Sequence, residues 1–197
     1  MSSRAEAGGS VGMKPGRVVV CPYSPDWPGE FEKVAQELRR SLPDWIVSID
    51  HVGSTSVPGL DAKPIIDILV GVPNLARGLE LVPFLESLGF EYRASDDLPD
   101  RHYFPRTLEG LRKHHVSVAE PGSRHFRNSL VFRDALRQTP ELAGRYAALK
   151  RQLAREVGAV RFAYLNGKTD FILSVLRDFG GEVGGEYPTR NLGSRAV

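Results

Sequence analysis

Apolar residues along the first half of the chain change from helical to extended spacing and back. Between Phe31 and Leu42 they recur every three or four residues, which predicts an amphipathic helix that Pro43 stops. Two strands are predicted next, over 45–52 and 64–72. The second is almost continuously apolar, as is typical of a strand covered on both faces. Another helix is predicted from about residue 75 to about residue 85, with Gly89 just beyond it.

The second half changes from short strands to helices. The segments 91–94, 101–106 and 114–119 are predicted as short strands, and 17–21 as a first strand or lead-in. From about Arg124 to Phe179 the apolar residues keep a helical spacing, with breaks near Pro140 and Gly158. A sheet-bearing first part followed by a helical last third predicts an α+β fold.

Composition places this fold in one domain between two tails. The ends are rich in Gly and Ser without periodicity, so we expect disordered tails at 1–16 and 180–197 around a domain at 17–179. The net charge of +2 gives no reason to expect a nucleic-acid partner. No apolar run approaches the ~18 residues of a membrane helix. The first ten residues lack a signal-peptide core, so we expect a cytoplasmic protein without a membrane partner.

A loop of small residues, 51–59, joins the two predicted strands of the first half. Gly53 would let backbone N–H groups approach a phosphate closely, and the hydroxyl groups of Ser54, Thr55 and Ser56 would add donors. The same composition is also typical of an ordinary turn. The loop by itself therefore favours phosphate binding and a plain turn about evenly.

Asp67 is the single acid in the apolar strand that follows the loop. A buried carboxylate without a partner is strongly destabilising, so Asp67 requires a binding partner or a place at the sheet edge. A magnesium ion beside the loop would satisfy it. Donation from loop N–H groups would satisfy it as well, and the two arrangements are compatible.

Residues 17–178 resemble the GrpB family, which belongs to the nucleotidyltransferase-fold superfamily. Two adjoining motifs, His51–Leu60 and Ala62–Ile68, carry most of the resemblance. Further matches are Arg101–Phe104, His114–Val118, Phe132–Arg137, Tyr146–Lys150, Tyr164, Lys168 and Phe171–Ile172. The resemblance implies a nucleotidyltransferase-like mixed sheet with flanking helices and a helical C-terminal third.

The superfamily holds two metal ions with a Gly-Ser loop, a pair of acids on the next strand and a third acid on a neighbouring strand. The resemblance assigns the loop to Gly53 and Ser54 and the first acid to Asp67, which is therefore the expected Mg²⁺ ligand and a candidate catalytic residue. Leu69 and Ser117 stand where the second and third acids belong.

The other candidate site residues are basic side chains and histidines. His51 and His115 are candidate catalytic residues, because histidine serves as a general base or a metal ligand. In an alternating strand His115 and Ser117 share one face and His114 lies on the other, so the two adjacent histidines cannot chelate one ion. The basic run at 145–155 is interpreted as a solvated helix face. The candidate phosphate-binding cations are Lys63, Arg101, Arg133 and Lys168.

The resemblance thus implies a protein that binds a nucleotide or another anionic, phosphorylated small molecule. A catalytic member would transfer a nucleotidyl group to a small acceptor. Two alternatives stay open. One is an accessory module of coenzyme A metabolism, since GrpB-like domains are fused to dephospho-CoA kinase in some actinobacterial proteins. The other is an enzyme that uses the same cleft for acyl or amide chemistry with His51, His114 and Ser117.

Overall fold

The computed structural model describes residues 11–14, 19–94, 99–157 and 161–184. None of the helices in these ranges is both long enough and apolar enough to cross a membrane. The α+β class is confirmed, with a mixed sheet, flanking helices and a helical last third. The elements, in chain order, are α1 (Trp27–Ser41), β1 (Ser48–Val52), β2 (Ile66–Gly71), α2 (Leu75–Gly78), α3 (Val82–Ser87), β3 (His102–Leu108), β4 (Leu111–Ala119), α4 (Arg124–Gln138), α5 (Pro140–Val157), α6 (Arg161–Asn166) and α7 (Thr169–Asp178).

The four strands pair in the order β1-β2-β4-β3. β2 runs antiparallel to β1 and parallel to β4, and β3 is antiparallel to β4. The apolar strand predicted over 64–72 is thus an inner strand, as its composition indicated. The register pairs Asp67 with His115 and Leu69 with Ser117, so all four side chains belong to one face of the sheet.

The other face of the sheet carries the main core. Ile68 and Val116 from the inner strands pack with Phe104 of β3, and Val34 and Leu38 of α1 cover them. The apolar residues whose spacing predicted α1 therefore form the stripe of the helix that packs on the sheet. On the face of Asp67, a smaller cluster packs the sheet against α4, and it consists of Val52, Leu69, Ala119 and Phe126 with Leu130 beside it.

The prediction of a regular strand at 91–94 was wrong, and in the segment 17–21, predicted as a first strand or lead-in, residues 17–18 lie outside the described residues. Within the described residues each contributes isolated bridges, such as Cys21 with Ala62 and Arg93 with Tyr103. For the segment 91–94, the physical reason is a proline in the neighbouring strand β3. Glu91 N–H donates to the carbonyl of Pro105 at 3.0 Å, but Pro105 has no N–H with which to return the bond. The ladder between these two segments therefore cannot continue.

The folded part extends further toward both ends of the chain than expected. Gly12 N–H donates to Pro64 O at 2.7 Å, within the segment predicted as the N-terminal tail. At the other end, Asn128 exchanges two 2.8 Å hydrogen bonds with the backbone of Glu182. Residues 11–14 and 181–184 are thus attached to the domain by long-range bonds. Residues 1–10, 15–16 and 185–197 of the predicted tails lie outside the described residues, as does the predicted break at Gly158.

Acid sensitivity is expected from His114, which lies on the core face of β4 and accepts a 3.1 Å hydrogen bond from Arg106 Nε. Burial, followed by the Arg106 charge, lowers the pKa of His114 from 6.5 to about 3. The unfolded chain therefore binds this proton first, and stability is lost as pH falls from 6.5 toward 3. We expect native protein to lose more thermal stability than the His114→Gln variant between about pH 7 and about pH 5. Equal losses in the two proteins would contradict this role of His114.

Candidate functional site

The loop after β1 presses its backbone against the carboxylate of Asp67. Gly53 has φ 69° and ψ −172°, a conformation that side-chain-bearing residues avoid. A Cβ atom at Gly53 would overlap Asp67 Oδ2 and lie 3.0 Å from Asp67 Cγ. Two independent constraints, the dihedral angles and the lack of space, therefore require glycine at this position.

The hydroxyl groups of the loop divide into two kinds. Thr55 and Ser56 are buried, and each donates to a backbone carbonyl, Thr55 to Ile65 O at 3.3 Å and Ser56 to Gly53 O at 2.6 Å. These two predicted phosphate ligands thus hold the loop in shape. Ser54, which opens the short 3₁₀ turn Ser54–Ser56, instead meets a side chain from the helical last third.

That side chain is Lys150 of α5. It is 2% exposed, and its Nζ donates to Ser54 Oγ at 2.9 Å and to Asp61 O at 2.5 Å. The interpretation of 145–155 as a solvated face was therefore wrong for this residue. A usable signal exists in the sequence, because Lys150 follows Tyr146 by four residues and shares its helix face. Tyr146 is buried, and its ring centroid lies 4.6 Å from Lys150 Nζ.

Two further lysines lie beside the ring of Tyr164, and the charge of one of them, Lys168, acts on the Lys150 ammonium. The Nζ atoms of Lys63 and Lys168 lie 4.2 and 4.7 Å from the ring centroid of Tyr164. Burial and then the charge of Lys168 lower the pKa of Lys150 to about 7, against the opposite effects of Asp61 and Asp67. We call Lys63, Lys150 and Lys168 the lysine cluster. Concentrated positive charge beside the loop favours an anionic ligand.

Asp67 and His115, predicted separately as catalytic residues, are brought together across β2 and β4. His115 Nδ1 lies 2.9 Å from Asp67 Oδ1, and the ring of Tyr103 lies 5.3 Å from the His115 ring. Side-chain exposure is 20% for His115 and 40% for Asp67, so the pair is open to a ligand. A histidine oriented in this way through Nδ1 has Nε2 on the side away from the carboxylate, where it can exchange a proton.

The structure does not bring His51 to this pair. His51 is paired with Ile68, so its side chain projects from the core face of the sheet, opposite to Asp67. The ring stacks on Phe31 of α1 at 4.6 Å, and Nε2 lies 3.0 Å from Thr55 Oγ1. Burial lowers the pKa of His51 to about 4. The structure therefore gives this predicted catalytic residue the role of a neutral link between α1 and the loop.

The two predicted arginines are engaged by protein groups. Arg133 of α4 donates to His51 O at 3.2 Å and forms ion pairs with Asp134 at 2.8 Å and Asp50 at 3.6 Å. It joins α4 to the end of β1. Arg101 Nη1 donates to Ser117 Oγ at 2.9 Å, which places its guanidinium on the Asp67 face of the sheet.

The residues around Asp67 do not fit the metal pair that the resemblance implies. Leu69 is fully buried against Val52, Ala119 and Phe126, so the second acid position belongs to the core. Ser117, at the third acid position, receives the cationic Arg101. No group of three or more His, Cys, Asp or Glu side chains in the described part of the chain could hold a metal ion. One carboxylate cannot assemble a two-metal centre.

The packing of Gly53 on Asp67 is tested by a matched pair of substitutions. Gly53→Ala and Gly59→Ala both place alanine at positive φ, 69° and 76° respectively. No atom lies within 4 Å of a Cβ built at Gly59, whereas Gly53 meets Asp67. We expect each variant to lose about 1–3 kcal/mol of unfolding free energy from the backbone conformation. Gly53→Ala should lose about 1–3 kcal/mol more from the clash. Denaturant unfolding measures both, and equal losses would contradict the packing described.

Residues 17–178 match the GrpB protein family. The chain is 40% identical over 163 residues to a UPF0157 protein of Pseudomonas aeruginosa, covering 81% of this chain and 66% of that protein. The crystal structure of GrpB from Enterococcus faecalis superposes with a TM-score of 0.74 at 34% identity, over 81% of this chain and 96% of that one. A dephospho-CoA kinase of Mycolicibacterium paratuberculosis is 28% identical in an alignment 192 residues long that covers 85% of this chain and 46% of the kinase.

Proposed function

Since the chain belongs to the GrpB family, with a nucleotidyltransferase-like sheet and loop, we propose that it binds a nucleotide or another phosphorylated small molecule at Ser54 and the lysine cluster. The observation that carries this proposal is the contact between the buried ammonium of Lys150 and Ser54 Oγ at 2.9 Å. A phosphate beside Ser54 would meet this ammonium directly, and Lys63 and Lys168 would add charge around it.

Charge balance gives the physical reason. Burying an ammonium group costs several kcal/mol unless hydrogen bonds and opposite charge compensate. Lys150 has two neutral oxygen acceptors, while Lys168 repels it and the Asp61 and Asp67 carboxylates attract it. A phosphate monoester brings between about −1.5 and about −2 charges at neutral pH, together with several acceptor oxygens. Its binding would therefore stabilise the protonated form of Lys150.

The reaction that the superfamily implies is transfer of a nucleotidyl group, and binding of the donor nucleotide is its first step. For the proton transfer of such a reaction, the chain offers the pair Asp67 and His115. The acceptor oxygen would form a bond to the α-phosphorus of the donor nucleotide as the bond to pyrophosphate breaks and pyrophosphate leaves. His115 would take the proton of the acceptor hydroxyl at Nε2, while Asp67 holds Nδ1.

The alternative, acyl or amide chemistry, was predicted to use His51, His114 and Ser117, but the register puts the two histidines on the core face and Ser117 on the Asp67 face. In this cleft such chemistry would therefore use Asp67 and His115 as well. Product analysis with the Asp67→Asn variant as the inactive control distinguishes the two reactions.

A second candidate ligand is coenzyme A or its dephosphorylated precursor. The likeness to a dephospho-CoA kinase covers 85% of this chain but 46% of the kinase. The chain would then be an accessory module that recognises the coenzyme without catalysis. Both compounds are phosphorylated and would use the same lysine cluster, so they belong in the same binding experiment as the nucleotides.

Isothermal titration with ATP, GTP, CTP, UTP, coenzyme A and dephospho-coenzyme A tests the proposal. We expect at least one to bind, and the Lys150→Met variant to bind it about tenfold or more weakly, a loss of at least about 1.4 kcal/mol. Arg155→Met is the matched control, because it removes one positive charge from an exposed position of the same helix. Equal weakening in both variants, or no heat from any ligand with a native thermal transition, would contradict the proposal.

Binding should also depend on pH through Lys150. Burial lowers its pKa to about 7 in the free protein, and a bound anion would raise that pKa. The affinity contributed by this group is therefore complete below about pH 7 and is lost as pH rises through the pKa of the bound state. Dissociation constants measured between about pH 6 and about pH 9 should rise in native protein relative to Lys150→Met. The titration of the ligand itself cancels in that comparison, and parallel pH profiles would contradict the role of Lys150.

A further inference from the structure

Ser117, which stands at the position of the third metal-binding acid, is hydrogen-bonded to the cationic side chain of Arg101. Ser117 lies two residues after His115 on β4, on the same face of the sheet as Asp67. Arg101 Nη1 donates to Ser117 Oγ at 2.9 Å, and its guanidinium carbon lies 4.8 Å from the ring centroid of Tyr103. A guanidinium keeps its charge at all ordinary pH values, so fixed positive charge occupies this side of the site.

Asp67, the acid that remains at the first of the three positions, is already in contact with His115 and Gly53. Asp67 Oδ1 lies 2.9 Å from His115 Nδ1, and Oδ2 is so close to Gly53 that no side chain fits between them. The second acid position, Leu69, lies in the small core cluster with Val52 and Phe126. A carboxylate there would have to be buried among apolar groups, which is strongly destabilising.

From this donor set we infer that the charge supplied by metal ions elsewhere in the superfamily is supplied here by side chains, so that the phosphorylated ligand binds without a divalent cation. Arg101 and His115 lie on the sheet side of the site, whereas Lys150 and Lys168 come from the helical last third. A divalent cation placed among these groups would meet Asp67, which His115 already engages, and Asp61, which Arg151 already pairs, together with several positive charges. Ligand phosphate oxygens would instead be paired by N–H donors, which need no metal bridge.

This inference rests on the proposed function, and calorimetry with the full chain separates the two. ATP, GTP, CTP, UTP and the two coenzymes are titrated once in excess EDTA and once in excess Mg²⁺. We expect affinities in EDTA to stay within about threefold of those in Mg²⁺, a difference of no more than about 0.7 kcal/mol. A loss of about tenfold or more in EDTA would overturn the inference while leaving the proposed function intact. No binding under either condition would overturn both.

Substitutions supply a second measurement. Arg101→Met should weaken binding in EDTA by about tenfold, whereas Arg93→Met, whose side chain is 55% exposed, should leave it unchanged. Equal affinities of the two variants would overturn the role given to Arg101. Titration of native protein with Mn²⁺ alone, followed by electron paramagnetic resonance, tests the metal site without a phosphorylated ligand. We expect no stoichiometric Mn²⁺ binding by native protein at micromolar concentration, and saturable binding that Asp67→Asn abolishes would overturn the inference.

Discussion

The buried ammonium group of Lys150 is the interaction on which the candidate site depends. It joins two parts of the fold that are far apart in sequence, because it reaches both Ser54 and Asp61 from α5. A charge this deeply buried costs free energy that the two hydrogen bonds only partly offset. The same contact joins the helical last third to the loop at 51–59. It also leaves a local excess of positive charge that an anion would relieve.

The loop itself is held from both faces of the sheet. On the core face, His51 stacks on Phe31 and contacts Thr55, which fixes the loop to α1. On the other face, Arg137 of α4 donates two hydrogen bonds, at 3.0 and 2.8 Å, to Ser56 O. Between these supports Gly53 lies against Asp67. A loop fixed in this way loses little conformational freedom on binding, so more of the interaction with a ligand becomes affinity.

Local patterns in the sequence were sufficient where the structure is local. The spacing of apolar residues predicted α1, and strand alternation placed His115 and Ser117 together and His114 apart. The missed features depend on distant partners. The helix face that Lys150 shares with Tyr146 indicates burial, but its partner, Ser54, lies 96 residues away in the sequence. The face of the sheet from which His51 projects depends on its pairing with Ile68. The attachment of residues 181–184 to the domain depends on Asn128. The periodicity of apolar residues reveals neither of these contacts.

The central claim is that a phosphate group is held between the loop and the lysine cluster. A crystal structure of the protein with its tightest-binding nucleotide or coenzyme tests this most directly. We expect phosphate oxygens within hydrogen-bonding distance of both Ser54 Oγ and Lys150 Nζ. The contrary result is a fully occupied ligand whose phosphates lie elsewhere. The contact between Lys150 and Ser54 would then be undisturbed and have no phosphate beside it.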